Sequence, residues 1–419
     1  MTFESFAEAR SVLLWGTFGI ALVMGALVNK TNFCTMGAVS DLVNMGDSGR
    51  MRAWIMAIAI AILGVAGLEY VGLVNATESF PPYRSSQLIW LENLLGGVLF
   101  GIGMTLASGC GNKTLVRIGG GNIKSIMVMV VVGTIAYFMT NPFPGSDQTL
   151  MSVLFYDWIR PAAIQLRTNQ DLGSLLSEQN ATTVRLVVGG IIGLALLGWI
   201  FRSSEFRANF DNILGGLTVG AAVVAAWYLS SNLIIDVDGE QYSLKGFIDN
   251  WDFLAESEEG KPADTRPLSP QSFTFVNPMG QTLGYLARAA DNAYLTFGVM
   301  ALFGVIAGSF LWSLLSRSFR IEWFASGRDF VNHLIGAVLM GFGGVLAVGC
   351  TIGQGVTGLS TLSIGSLIAF LGIVFGSAMT MKVQLYKMMY EDAGIVAILV
   401  TSLVDLKLLP AGMRKLDAI

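Results

Sequence analysis

Apolar stretches of roughly 20 residues, the length a helix needs to cross a hydrocarbon core, alternate with polar links along the whole chain. They predict spans at 11–29, 53–74, 88–109, 125–140, 186–201, 212–235, 292–316, 331–349 and 364–381. A shorter apolar run, 393–406, ends in Asp405 and Lys407 and reads as a re-entrant or interfacial segment, not a tenth span. Several spans stop in glycine-rich sequence, the pattern of helices broken inside a membrane bundle. The first span is expected to be a mature helix rather than a signal peptide, because Glu4 and Glu8 stand where a basic flank belongs. The expected fold is an all-α polytopic membrane protein, with about nine transmembrane helices and short re-entrant helices.

Composition agrees. The 419 residues are 53% hydrophobic and 13% charged, about half the charge of a soluble domain. This excludes a disordered chain and an ordinary soluble enzyme. A net charge of −4 gives no sign of a nucleic-acid partner; the expected surroundings are a lipid bilayer. The short links 29–52, 111–124 and 317–330 carry Lys30, Arg50, Arg52, Lys113, Arg117, Lys124, Arg317, Arg320 and Arg328. Lys and Arg favour cytoplasmic loops, so the N-terminus is expected outside and the C-terminal tail, with Lys407, Arg414 and Lys415, inside. The stretch 236–291 holds ten acids against four bases. It is expected to be extracytoplasmic and too polar for lipid: either a solvated insertion or a lid. It contains Pro262, Pro267, Pro270 and Pro278 and a β-prone stretch, Ser272 to Val276. The domains follow: a first transmembrane half 1–185, connecting helices 186–235, the acidic insertion 236–291, and a second half 292–419.

The two halves share a segment. At an offset of 240, Leu94–Cys110 aligns with Leu334–Cys350, matching Gly96/Gly336, Gly101/Gly341, Gly103/Gly343, Gly109/Gly349 and Cys110/Cys350. The charge argument makes the copies run in opposite directions, an inverted pseudo-symmetric repeat, which places a substrate site between the halves. Most of these glycines suit close helix packing. Gly109-Cys110-Gly111 and Gly349-Cys350 instead suggest unwound backbone, tolerated in a membrane only where it is buried in protein or lines a cavity.

The chain has three cysteines, Cys34, Cys110 and Cys350, too few for a disulfide framework. Buried cysteines are commonly inert small hydrophobes. The repeat symmetry and the flanking glycines favour function. Ionisable residues are nearly absent from the spans (Glu69, Glu92 and His333 lie near span ends), so no chain of carboxylates marks an ion-coupled pump. A thiol is neutral, polarizable and a weak donor, suited to a soft anionic sulfur. Lys30, Lys113 and Arg117 lie just beyond the cysteines and would draw an anion onward. No Cys or His spacing favours a metal, and no cofactor is expected.

The Asn32-Phe33-Cys34-Thr35 run with Gly37, the glycine-rich segment ending at Cys110 and its copy ending at Cys350 resemble the YeeE/YedE family of membrane proteins. The best understood members of that family are bacterial thiosulfate uptake transporters, and others handle selenium or other sulfur compounds. The resemblance implies an inner-membrane transporter, not an enzyme, in which cysteines meet the sulfur of the substrate through S–H···S contacts. On this chain the role falls to Cys34, Cys110 and Cys350, with Gly109, Gly111, Gly349, Lys30, Lys113 and Arg117 around them. A cytoplasmic sulfur carrier or sulfurtransferase is a candidate partner. The acidic insertion departs from compact members. The alternatives are a membrane-embedded thiol redox enzyme working through a Cys110–Cys350 pair, and a structural subunit whose cysteines only pack.

Overall fold

The computed structural model describes residues 1–237, 239–251 and 268–417. Helices dominate: α1 (Phe6–Thr31), α2 (Thr35–Ser40), α3 (Gly49–Tyr70), α4 (Trp90–Leu106), α5 (Gly111–Gly119), α6 (Ile123–Thr140), α7 (Ala181–Phe201), α8 (Phe210–Ser231), α9 (Val276–Ala287), α10 (Phe297–Leu315), α11 (Gly327–Leu346), α12 (351–360), α13 (Ile364–Met389) and α14 (Ile395–Asp405). Among the described residues nine helical stretches are long and apolar enough to cross a membrane, and they fall on the nine expected spans. The protein is an all-α multi-pass membrane protein. The 11-residue α14 is too short to cross. The expected span 364–381 runs on to Met389, because Lys382 is buried 3.8 Å from Asp405 rather than left at an interface.

Ser5, Asn122, Asn209, Thr296, Ser326 and Ser363 cap α1, α6, α8, α10, α11 and α13 through side-chain oxygens. Each fills an orphan N–H of the first turn. Small residues then let the helix backbones touch. A Cβ on Gly96 would stand 2.7 Å from the Gly343 carbonyl oxygen, and one on Gly103 would stand 2.6 Å from that of Gly336. These two contacts run antiparallel along α4 and α11. Other pairings match across the chain: α4 lies on α13 as α6 lies on α11, α2 lies on α13 as α9 lies on α6, and α2 precedes α3 as α9 precedes α10, each pair in contact.

The stretch expected as one polar loop, 236–291, divides in two. Its beginning stays at the surface. Ile234–Val237 and Glu240–Ser243 form a hairpin, Thr2–Phe3 adds a parallel strand, and Phe247 stacks on Phe6 at 5.9 Å. Its end enters the bundle: Ser272, Phe273 and Phe275 are buried, and α9 packs on α6. The β-prone stretch Ser272 to Val276 is not a strand. Hydroxyls take the place of a ladder, with Thr357 Oγ1 donating to Phe273 O at 2.7 Å, Ser272 Oγ to Val223 O at 2.9 Å and Ser230 Oγ to Gln271 O at 2.7 Å. Buried irregular backbone needs such partners. Pro262, Pro267 and most of the ten acids, and with them the lid reading, lie outside the described residues.

Ionisable groups near the span ends are paired. Glu69 forms a bidentate contact with buried Arg84, and Arg84 lies 3.7 Å from Asp171, which also binds Arg185 at 2.9 Å. Burial raises the Asp171 pKa, but the Arg185 hydrogen bonds and the Arg84 charge outweigh it and hold the carboxyl below the usual range. Arg84 also donates to Thr361 O at 3.0 Å, tying this cluster to the end of α12. Glu92 faces Arg160 at 3.1 Å, and His333 faces Asp329 at 3.0 Å.

Candidate functional site

All three cysteines stand in the same local structure. α1, α4 and α11 each stop where one residue turns left-handed: Asn32 at φ 50°, Ser108 at φ 57° and Val348 at φ 60°. The residue after each donates its N–H five positions back, Phe33 to Val28, Gly109 to Met104 and Gly349 to Gly344. This is a Schellman stop. The next residue is the cysteine, whose carbonyl accepts the first bond of a new helix from Ala38, Thr114 or Gln354. Each cysteine therefore sits at the N-terminus of a short helix: α2, α5 or α12. No side-chain hydrogen bond caps α2 or α5. In α12 the Gly353 N–H reaches the Cys350 sulfur at 3.5 Å. Sulfur is a poor substitute for the oxygen caps of the long helices, so the N–H groups of these first turns remain available to an anion.

Because α4 and α11 run antiparallel, their breaks bring the chain back to the middle of the bundle from opposite sides. A Cβ on Gly111 would lie 3.7 Å from the Cys350 Cβ. Cys34, Cys110 and Cys350 are 5%, 2% and 0% exposed, and all are free thiols. None faces the surroundings of the bundle. Unpartnered buried polar atoms gather beside them: Thr35 Oγ1, Asn112 Oδ1, Thr274 Oγ1, Thr351 Oγ1 and Gln354 Oε1. Such groups are costly when left unpaired, and here they are grouped around the thiols.

A basin of about 940 Å³ opens at one end of the bundle, lined by Cys34, Lys30, Asn32, Arg50, Lys113, Arg117, Arg320 and Glu322. Lys30 is held between Phe210 and Trp312, 5.9 and 5.7 Å from the ring centres. Lys113 donates to Asn32 Oδ1 at 3.3 Å, and Arg50 pairs with Asp41. The basin carries five cations and one carboxylate, so it attracts anions. At the other end a cavity of about 220 Å³ is lined by Tyr83, Asn93, Arg160, Val348, Gln354 and Ser366. Val348 and Gln354 flank Cys350 in sequence, and Gln354 donates to Ala347 O. The Gly349 Cβ position touches Gln354, and that of Gly109 touches Lys113 and lies 3.7 Å from Arg117. Of the residues singled out from the sequence, Cys34, Lys30, Lys113 and Arg117 line one basin, Gly109 lies against Lys113, and Gly111 lies beside Cys350. Thr35, Asn112, Thr351 and Gln354 escaped notice there. Their signal is adjacency to the cysteines, which acquires meaning only once their hydroxyl and amide groups are seen to lack partners.

A profile for a family described as sulphur transport matches residues 30–379. The protein named thiosulfate transporter TsuA from Escherichia coli strain K12 is 24% identical over 375 residues, covering 87% of this chain and 93% of that protein. The TsuA of Spirochaeta thermophila is 21% identical over 372 residues, covering 87% and 97%. The matched region contains all three cysteines and both cavities.

Proposed function

The chain belongs to the sulphur-transport family, and on that premise we propose that it takes up thiosulfate or a closely related sulfur anion across the bacterial inner membrane. The observation that carries this reading is the threefold Schellman-stop–cysteine–helix unit, whose short helices turn their N-termini on buried thiols between a small cavity and a basic basin. The two TsuA proteins support the substrate by name.

The physical difficulty is a dianion leaving water. A fixed cation at the midpoint would trap it. Helix N-termini supply about half a positive charge each without trapping. The neutral thiols give the terminal sulfur a sequence of soft, weak donors. The anion enters by the 220 Å³ cavity, where Arg160 is the charged group. It then meets Cys350, Cys110 and Cys34 in turn through S–H···S contacts. The glycines 109, 111 and 349 allow close approach, and Lys30, Lys113 and Arg117 draw the anion into the basin. No bond is made or broken. The positive-inside rule puts the basin, with its Lys and Arg links, on the cytoplasmic side and the N-terminus outside. A cytoplasmic sulfur carrier or sulfurtransferase would collect the anion there.

The test is uptake of labelled thiosulfate by vesicles holding only this protein, with sulfate as competitor. Uptake with weak competition by excess sulfate is expected. Absence of uptake, with the protein shown to be folded, rejects the reading. Equal competition by sulfate leaves a generic anion path and rejects the thiol relay.

A further inference from the structure

The three-cysteine route leaves Thr274 unused. Its hydroxyl is buried, 9% exposed, and makes no hydrogen bond to an oxygen or nitrogen. It faces the Cys350 sulfur and the first turn of α12, where a Cβ on Gly353 would collide with Thr274 Oγ1. At the offset that aligns Cys110 with Cys350, Phe33-Cys34 falls on Phe273-Thr274. One identical position, Phe33/Phe273, means little alone, but the surroundings match as well. Phe33 stacks on Trp54 of α3 at 5.0 Å, and Phe273 packs on Phe297 of α10 at 5.8 Å. The helix after Cys34 lies on α13, and the helix after Thr274 lies on α6. Asn32, Cys34 and Gly37 line the basic basin. Their offset partners Ser272, Thr274 and Asn277 line a cleft of only about 10 Å³. Phe80 and Pro81 close that cleft, while Pro82 and Tyr83 border the neighbouring 220 Å³ cavity. The segment 80–83 therefore occupies the space that is open at the basic end.

We propose that Thr274 is a fourth station on the substrate route, the hydroxyl counterpart of Cys34 at the end opposite the basin, and that it donates to an oxygen of the incoming sulfur oxyanion while Cys350 receives its terminal sulfur. This rests on the transport reading above and adds a division of labour to it. A hydroxyl is a strong donor to oxygen and a thiol a weak, soft one. Thr274 thus sets affinity for the oxyanion end, and Cys350 distinguishes sulfur from a fourth oxygen.

Thr274→Val and Thr274→Ser in the full-length chain, assayed for labelled thiosulfate uptake in vesicles and for thermal unfolding in detergent, decide the matter. Valine is nearly isosteric and removes a buried hydroxyl that bonds no oxygen or nitrogen, so it should leave the melting temperature unchanged or raise it. It should raise KM for thiosulfate about tenfold or more, the worth of a lost hydrogen bond to a charged ligand. Serine should restore KM to within about twofold, since the same donor is present. A valine variant with wild-type KM overturns the proposal. So does one that no longer folds, since the hydroxyl would then be a structural partner, and so does a serine variant as impaired as valine. If the wild-type chain itself moves no thiosulfate, the transport reading has failed instead.

Discussion

A cysteine at the N-cap of a helix leaves N–H groups that serine, threonine or asparagine would have bonded. Cys34 and Cys110 show this directly, with no side-chain cap on the helices they begin. Serine in their place would bond the backbone, lose the soft S–H donor and compete with an anion for the same N–H groups. Each single Cys→Ser variant at 34, 110 and 350 is therefore expected to fold normally and to lose at least about tenfold in thiosulfate uptake, because a site matched to one group discriminates strongly when the match is lost. Uptake by expression-matched variants in vesicles checks this, and full activity in all three would defeat the relay. The cysteines were legible in the sequence because they are rare and because Cys110 and Cys350 repeat at a fixed offset. Thr274, Gln354 and Thr351 were not, because threonine and glutamine are common, and only burial without a partner distinguishes these copies.

At the level of elements, the half-helices depend on how closely α4 and α11 approach. Gly96 meets Gly343, and Gly103 meets Gly336, backbone to backbone. A Cβ on Gly343 would stand 2.5 Å from Phe100 N and 2.6 Å from Gly96 O, contacts that no side-chain rotation relieves. Gly343→Leu should therefore lower stability by more than the ~1–3 kcal/mol typical of overpacking, seen as a lower unfolding temperature in detergent, with uptake falling alongside. Gly19→Leu, where a Cβ meets nothing within 4 Å, is the control and should be neutral. The sequence marked these glycines as packing residues and the cysteine-flanking ones as breaks. It did not show that the break residue is Asn32, Ser108 or Val348, three chemically unlike residues in one left-handed conformation. Valine in particular is disfavoured there. The N–H of the following residue and the packed helix hold it in place.

Across the whole molecule the two ends differ. One is an open basic basin; at the other, residues 80–83 fill much of the space and a four-member ion cluster around Arg84 anchors the surrounding loops. In the proposed orientation the basin faces the cytoplasm. Impermeant thiol reagents applied to whole cells should then modify Gln241→Cys, an exposed position in the surface hairpin, and spare Lys415→Cys until the membrane is opened. The native thiols are buried and give little background. The reverse pattern would invert the topology and with it the direction of the proposed route.

The sequence by itself determined the number and approximate limits of the spans, because hydropathy over 20 residues is a local property set by transfer free energy. It also determined the glycine–cysteine correspondence, because identity at a fixed offset needs no coordinates. It erred at 268–287. There polar residues and prolines read as a solvated loop, yet the hydroxyls of Ser230, Ser272 and Thr357 supply the backbone partners that let the chain enter the bundle. Only the tertiary structure decided that the breaks after α4 and α11 return the chain to one place, so that Gly111 and Cys350 meet although 239 positions separate them. Convergence of that kind depends on antiparallel packing between distant helices, and no local pattern of apolar and polar residues encodes it.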